Sequence, residues 1–233
     1  MKDSEIIATP KMELEVKISK DGSNTLFVPS LNEHYHSTNG AITEAIHVYR
    51  TEGLDFFHQE NPLTKSINIL EIGFGTGLNA LVSAMSHITP AFNYDGLELL
   101  PLPIETIQQL NYTTELGANS KELYSLITQA DWNKPVKITN SFTLHKINQN
   151  LLDWSPQKKY QVIYFDAFGP EVQPEMWSPE VFDKIAIAAD QGAVLTTYCA
   201  KGEVRRQLKR VGFKVFRIPG PPGKREMARA VKL

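Results

Sequence analysis

The sequence predicts an α/β fold with a mostly parallel seven-stranded sheet, an antiparallel last strand and an N-terminal hairpin and helix extension. Three observations carry that prediction. From Ser66 onward, short apolar runs alternate with amphipathic segments, the pattern of a parallel sheet wrapped by helices. The first run, INILEI, passes directly into a turn with Gly73, Gly75 and Gly77 and then into a helical pattern. The last two apolar runs, Phe213 to Ile218 and Ala228 to Leu233, have no helix between them, so a closing antiparallel hairpin fits there.

Taken in order, Leu14, Val16 and Ile18 alternate with polar residues, Asp21-Gly22 supplies a turn, and Thr25 and Phe27 resume the alternation. The first thirty residues therefore read as a hairpin. From Gly40 to Gln59, Ile42, Ala45, Ile46 and Tyr49 recur at helical spacing, with a break expected around Gly53. Strands follow near 67–72, 92–98, 142–147, 160–166 and 192–197, and helices near 76–88, 101–111, 118–128, 178–189 and 202–211. No internal repeat or linker divides the chain. Residues 1–60 read as an extension and 61–233 as the core of one structural domain.

Composition narrows the function. The 42% hydrophobic residues can fill a core. A single cysteine, Cys199, allows no internal disulfide and no cysteine-based zinc site, and its apolar neighbours make it a packed core thiol; no metal site is expected. The N-terminus lacks a signal-peptide pattern and no run approaches a membrane span, so a cytoplasmic protein without a membrane partner is expected. The net charge of −2 hides an asymmetry. From Lys201 to the end, eleven Lys and Arg face two acids, a balance of +9, while residues 1–200 hold 13 basic and 24 acidic residues, a balance of −11. On charge alone the basic segment is either a polyanion-facing surface or a solvated helix face.

The glycine turn puts backbone N–H groups and a helix N-terminus at the carboxyl edge of the sheet. The dinucleotide pattern fits poorly: read from Gly73 it meets Leu78, and read from Gly75 it leaves Gly73 unexplained. A phosphate loop would need Lys followed by Ser or Thr after Gly77, and neither is there. Taken whole, acid-x-Gly-x-Gly-x-Gly from Glu71 resembles the first motif of class I (Rossmann-like) S-adenosylmethionine methyltransferases, whose ligand has no phosphate. Glu98 ends the second strand 21 residues after Gly77, where a carboxylate accepts both ribose hydroxyls. In such a sheet the fourth strand lies beside the first, so Asp166 emerges next to the glycine turn. The loop after it, held by Pro170 and Pro174 and carrying Met176 and Trp177, reads as a rigid pocket wall.

The stretches FDAFGPEVQPEMWSPEVF and PGPPGKREM, with STNGAITEAIHVY, YDGLELLP and GAVLTTYCAKGEVRRQLKRVGF, closely resemble one family from about Tyr35 to the C-terminus. It is the tRNA 5-methylaminomethyl-2-thiouridine-forming methyltransferases, comprising the methyltransferase half of bifunctional MnmC enzymes and stand-alone MnmD-like relatives. The resemblance implies N-methylation of 5-aminomethyl-2-thiouridine at the tRNA wobble position with S-adenosyl-L-methionine as donor. The fused enzymes' partner is an FAD-dependent oxidase, and 233 residues leave no length for it, so no FAD domain is expected in this chain. The resemblance breaks the charge tie in favour of nucleic acid, with Lys224 and Arg225 gripping phosphate. Asp166 orients the amine first and serves as base second. Tyr198 either lines the acceptor pocket or is a core residue. Ser37, Gly40 and Glu44 close over the cofactor, and His47 packs its helix. At the end of the third strand, where an acid for adenine is expected, Asn148 stands instead. The rivals are a polyamine methyl- or aminopropyltransferase on the same fold and a non-catalytic RNA-binding module.

Overall fold

The computed structural model describes residues 13–88 and 90–233. Its N-terminal strands β1 (Glu15–Ile18) and β2 (Asn24–Val28) pair antiparallel as expected, and β3 (Glu33–His34) adds a third strand to this small sheet. The alternation misleads at one position: Ile18 is 79% exposed, while Leu26 and Val28 supply the buried face. Leu26 belongs to the same buried cluster as Ile67 and Ile69 of the main sheet, so the small sheet is packed onto the core. Asp21 at the turn accepts hydrogen bonds from Ser19, Ser23 and Thr43. Burial opposes its ionisation, but the bonds from Ser23, Thr43 and Ser19 win and hold its carboxyl at about 2. The turn thereby anchors the helix that begins at Ala41.

That helix runs without a break to Glu60. An α-helical turn, Ala41–Glu44, leads into a π-helical stretch, Ala45–Asp55, and then into Phe56–Glu60. The expected break at Gly53 is absent for a packing reason. A Cβ there would lie 2.9 Å from the Tyr164 ring and 3.2 Å from Thr196 Oγ1. Glycine therefore lets the helix approach the sheet closely instead of ending it.

The main sheet comprises β4 (Ser66–Ile72), β5 (Ala91–Glu98), β6 (Pro135–Lys137), β7 (Phe142–Asn148), β8 (Tyr160–Phe165), β9 (Ala189–Thr197), β10 (Phe213–Pro219) and β11 (Glu226–Lys232). Their order is β10-β11-β9-β8-β4-β5-β7-β6. The seven expected strands are present, and β11 is antiparallel to both its neighbours. The eighth strand, β6, pairs antiparallel at the edge; it is three residues long and begins with a proline, so no periodicity announces it. The helix expected near 101–111 shrinks to Ile104–Ile107 because Pro101 and Pro103 hold the preceding chain extended, and a separate turn forms at Tyr112–Glu115.

Odd and even residues of the strands feed different layers. Ile67 and Ile69 of β4 and Val162 and Tyr164 of β8 face the long N-terminal helix and helices Leu78–Ala84 and Asn119–Gln129. Leu70, Ile72, Ile163 and Phe165 face helices Pro179–Ala188 and Gly202–Arg210. Cys199 is buried in this second layer and burial raises its thiol pKa, in keeping with a packed thiol. No helix among the described residues is long and apolar enough to cross a membrane.

Candidate active site

β4 and β8 are parallel neighbours with Ile72 opposite Phe165, so Gly73 and Asp166 leave the sheet side by side. Asp166 N–H donates to the Ile72 carbonyl at 2.9 Å. Gly73 has φ +88°, and a Cβ on it would stand 2.5 Å from the Asp166 carbonyl oxygen. Only glycine fits both constraints. Gly75 and Gly77 are also left-handed, and the second opens helix Leu78–Ala84. Above this edge lies a cavity of about 430 Å³. Its floor is the glycine turn, its sides are Glu98 to Leu100 and Gln149 to Leu152, and its far end is Asp166 to Phe168 with Met176; Leu31 and Tyr35 lean over it from the N-terminal extension.

Glu98 accepts hydrogen bonds from Gly75 N–H at 3.0 Å and Leu100 N–H at 2.9 Å, one on each oxygen. Burial pushes its carboxyl upward against those amides. Each oxygen keeps a lone pair for a further donor. Glu71 is different. It is 0% exposed, does not line the cavity, and accepts from Asn79 Nδ2 and Tyr94 Oη, both at 2.8 Å. Burial, then the neighbouring Asp166, raise its pKa well above the usual range. Glu71 lies beneath the site, supporting its floor.

Asp166 is the junction. Tyr49 Oη donates to Oδ1 at 2.5 Å and Asn79 Nδ2 donates to Oδ2 at 2.8 Å. Burial, reinforced by Glu44, pushes its carboxyl to about 7, although Tyr49, Asn79 and Lys224 pull the other way. Asn79 thus bridges two carboxylates with one amide group, and its Oδ1 is buried without a partner.

The other end of the site joins the two ends of the chain. Lys224 Nζ donates to Glu44 Oε2 at 2.6 Å and lies 4.0 Å from the centre of the Tyr198 ring. Tyr198 Oη donates to the Ala167 carbonyl at 2.9 Å, so the ring braces the cavity residue Ala167 from behind and does not line the cavity itself. Glu44 Oε1 accepts from Ser37 N–H, and His47 Nε2 reaches the Pro219 carbonyl at 2.9 Å. His47 therefore ties its helix to the C-terminal loop.

Several expected residues stand elsewhere. Gly40 is not in the cavity wall; a Cβ on it would meet Asp21 Oδ2 at 2.6 Å, so it serves the turn anchor. The Asn148 amide donates to the Glu98 and Leu99 carbonyls, and its neighbours Gln149 and Asn150 line the cavity in its place. Trp177 packs on Phe165 and donates to the Phe168 carbonyl, bracing the loop from behind while Met176 faces inward. Lys224 is committed to Glu44, whereas Arg225 is exposed and makes no ion pair among the described residues. Sequence reasoning passed over Tyr49 and Asn79. The signals were Asn79 itself, a polar residue in the apolar opening of LNALV, and the place of Tyr49 at the end of STNGAITEAIHVY.

The donor set fits S-adenosyl-L-methionine: a carboxylate with free lone pairs at a strand end, a glycine turn without a phosphate-binding lysine, and an orphaned buried acceptor at Asn79. Among the described residues no three His, Cys, Asp or Glu gather to hold a metal ion. Residues 121–233 match the model of a family described as S-adenosyl-L-methionine-dependent methyltransferase. Fold, cavity and family model together define the class, and the chain is an S-adenosyl-L-methionine-dependent methyltransferase.

Within that class the chain is similar over most of its length to proteins named MnmC. It is 31% identical, over 86% of its length, to the tRNA 5-methylaminomethyl-2-thiouridine biosynthesis bifunctional protein MnmC of Cupriavidus necator. It is also 31% identical, over 95% of its length, to the protein of that name from Ralstonia nicotianae. It spans about a third of those proteins, 32% and 34% respectively. Among solved structures, MnmC2 from Aquifex aeolicus superimposes with a TM-score of 0.72 over 96% of this chain and 72% of that one, at 21% identity. Spermidine synthase from Thermotoga maritima gives 0.62 over 97% and 71%, at 12% identity. At those identities the two structures speak for the fold alone.

Proposed function

We propose that the protein N-methylates 5-aminomethyl-2-thiouridine at the wobble position of tRNA, forming 5-methylaminomethyl-2-thiouridine. The observation that carries this reading is the carboxylate of Asp166, held beside Gly73 at the end of a donor-sized cavity in a chain related to the MnmC proteins along most of its length. When bound, S-adenosyl-L-methionine supplies a sulfonium methyl group that an amine lone pair can attack. Only the neutral amine has that lone pair. With a pKa near the lysine value, about one amine in a thousand is neutral at pH 7, a cost of about 4 kcal/mol. A carboxylate titrating at about 7 is matched to hydrogen-bond that amine and take its proton at neutral pH. Fixed placement contributes the remainder through proximity.

In this reading the Gly73 to Gly77 backbone and Glu98 hold the donor, with Glu98 on the ribose and Gln149 and Asn150 on the adenine edge. Tyr198 and Met176 wall the uracil. Glu44 favours a cationic acceptor, and Lys224 sets Glu44 in place. Arg225 and the basic face of helix Gly202–Arg210 take tRNA phosphates. Residues 1–60 serve as an accessory extension of the catalytic core, and a tRNA substrate puts the protein in the cytoplasm.

The test is incubation with methyl-labelled S-adenosyl-L-methionine and tRNA carrying the free aminomethyl group, with fully modified tRNA and spermidine as controls. Label is expected in the first tRNA alone, recovered as the methylaminomethyl nucleoside after digestion. Label on spermidine alone, or on nothing, overturns the reading.

A further inference from the structure

We infer that Tyr49 is a positioning residue of the transfer reaction: its phenol, delivered by the π-helical stretch of the N-terminal extension, fixes the Asp166 carboxylate in the orientation the acceptor amine requires. The inference rests on the proposed methyl transfer and gives a role to a residue that the sequence reading placed only in the helical pattern.

The geometry is a two-sided grip. Tyr49 holds Oδ1 at 2.5 Å from the helix side, and Asn79 holds Oδ2 at 2.8 Å from the glycine-turn side. One donor on each oxygen, from two different elements, stops the carboxylate from rotating about its Cβ–Cγ bond. Each oxygen keeps a further lone pair. Tyr49 is 1% exposed and its ring packs 5.3 Å from that of Tyr164, so the phenol has one place to be. Burial first, then the carboxylates of Asp166 and Glu44, keep it protonated. It acts as a donor and takes no proton itself.

The delivery is also built into the chain. Phe56 N–H bonds to the Thr51 carbonyl, the i to i−5 pattern of a π-helix. Glu44 stands at the entry to that stretch and Tyr49 within it, and both act on Asp166. The bare Cα of Gly53 allows the same helix to lie against Tyr164 and Thr196. A side chain there would lift the helix, and with it the phenol.

The groups facing Asp166 are Tyr49 and Glu44 from this helix, Glu71 of β4 across Asn79, Tyr198 after β9 and Lys224 from the C-terminal loop. Tyr94 of β5 lies behind Glu71. Lys224 acts from a distance because its ammonium is bonded to Glu44. The direct donors on Asp166 are therefore Tyr49 and Asn79.

The experiment uses Tyr49→Phe, which keeps the packed ring, with Tyr164→Phe as the control that loses a buried hydroxyl bonded to Ser83. Carbon-13 NMR of the full chain follows the Asp166 carboxyl against pH. Loss of a donor to the carboxylate is expected to move its midpoint upward from about 7 by about one pH unit in Tyr49→Phe, and to leave it in place in Tyr164→Phe. In the tRNA assay, turnover of Tyr49→Phe should fall by more than the about fivefold that the ionisation shift alone gives at pH 7, and a deficit should remain at about pH 9, where Asp166 is ionised in both proteins. An unmoved midpoint, or a deficit that vanishes at about pH 9, overturns the inference. A midpoint that moves while the unaltered protein puts no label into tRNA sustains the tyrosine's hold on Asp166 and overturns the substrate reading instead.

Discussion

The wall of the cavity that carries Gly73 to Gly77 and Glu98 comes from one strand-helix-strand unit, β4 to β5. The opposite end is Asp166, just past β8, and behind it stand Glu44 and Tyr49 of the N-terminal helix, Tyr198 after β9 and Lys224 of the last loop, which do not line the cavity themselves. In the first region the contacts that matter are backbone ones, and φ at three glycines fixes them. In the second they are side-chain bonds between segments up to 180 residues apart. A site of the first kind leaves a short local pattern in the sequence. One of the second kind leaves single residues whose partners exist only after folding, so one substitution can dismantle it without disturbing the glycine pattern.

Substitutions at the two ends should therefore separate donor binding from turnover. The largest effect is expected for Asp166→Ala: label transfer to tRNA falls by about a thousandfold or more, while donor affinity measured by calorimetry changes little. Full activity in this variant would break the comparison. Glu98→Ala is the mirror case. It should weaken donor binding by about tenfold to a hundredfold, the range of a lost hydrogen bond to a charged group, with turnover at saturating donor largely kept.

Asp166→Asn sharpens the contrast through stability. Burial raises the Asp166 carboxyl from its ordinary 3.8 to about 7, so the folded protein binds a proton that the unfolded chain releases between those values. Ionised Asp166 therefore costs stability that mounts as pH rises from about 4 to 7, levels off above, and disappears as pH falls again. The inactive Asn variant should be more stable to denaturant at pH 8, by about 2 kcal/mol after allowing for partial solvent access, and no more stable at pH 4. The smallest effect belongs to Arg225→Ala. The slope of tRNA affinity against salt should flatten by about one counterion, whereas Lys224→Ala, which frees Glu44, should change turnover more than the salt slope.

The parallel sheet was readable because β4 and β8 are apolar runs buried on both faces, β5 and β7 carry regularly spaced buried residues, and helices separate most of these strands. The antiparallel β11 followed from the missing helix before it. β6 was not readable, being short and at an edge. Gly53 was read as a helix break because a sequence does not reveal that Tyr164 lies 2.9 Å from where its Cβ would be. Lys224 was read as a free cation for the same reason: Glu44, its partner, is 180 residues away.

By itself the sequence determined the strand order's two key neighbours, the glycine turn, and the carboxylates at the ends of β5 and β8, because hydrophobic periodicity and glycine's backbone freedom are local properties. Only the tertiary structure decided which of those carboxylates face the cavity, that Glu71 lies beneath it, and that Tyr49 and Asn79 grip Asp166. Those outcomes depend on burial and on hydrogen bonds between distant segments, and both come into being when the N-terminal helix settles against the sheet.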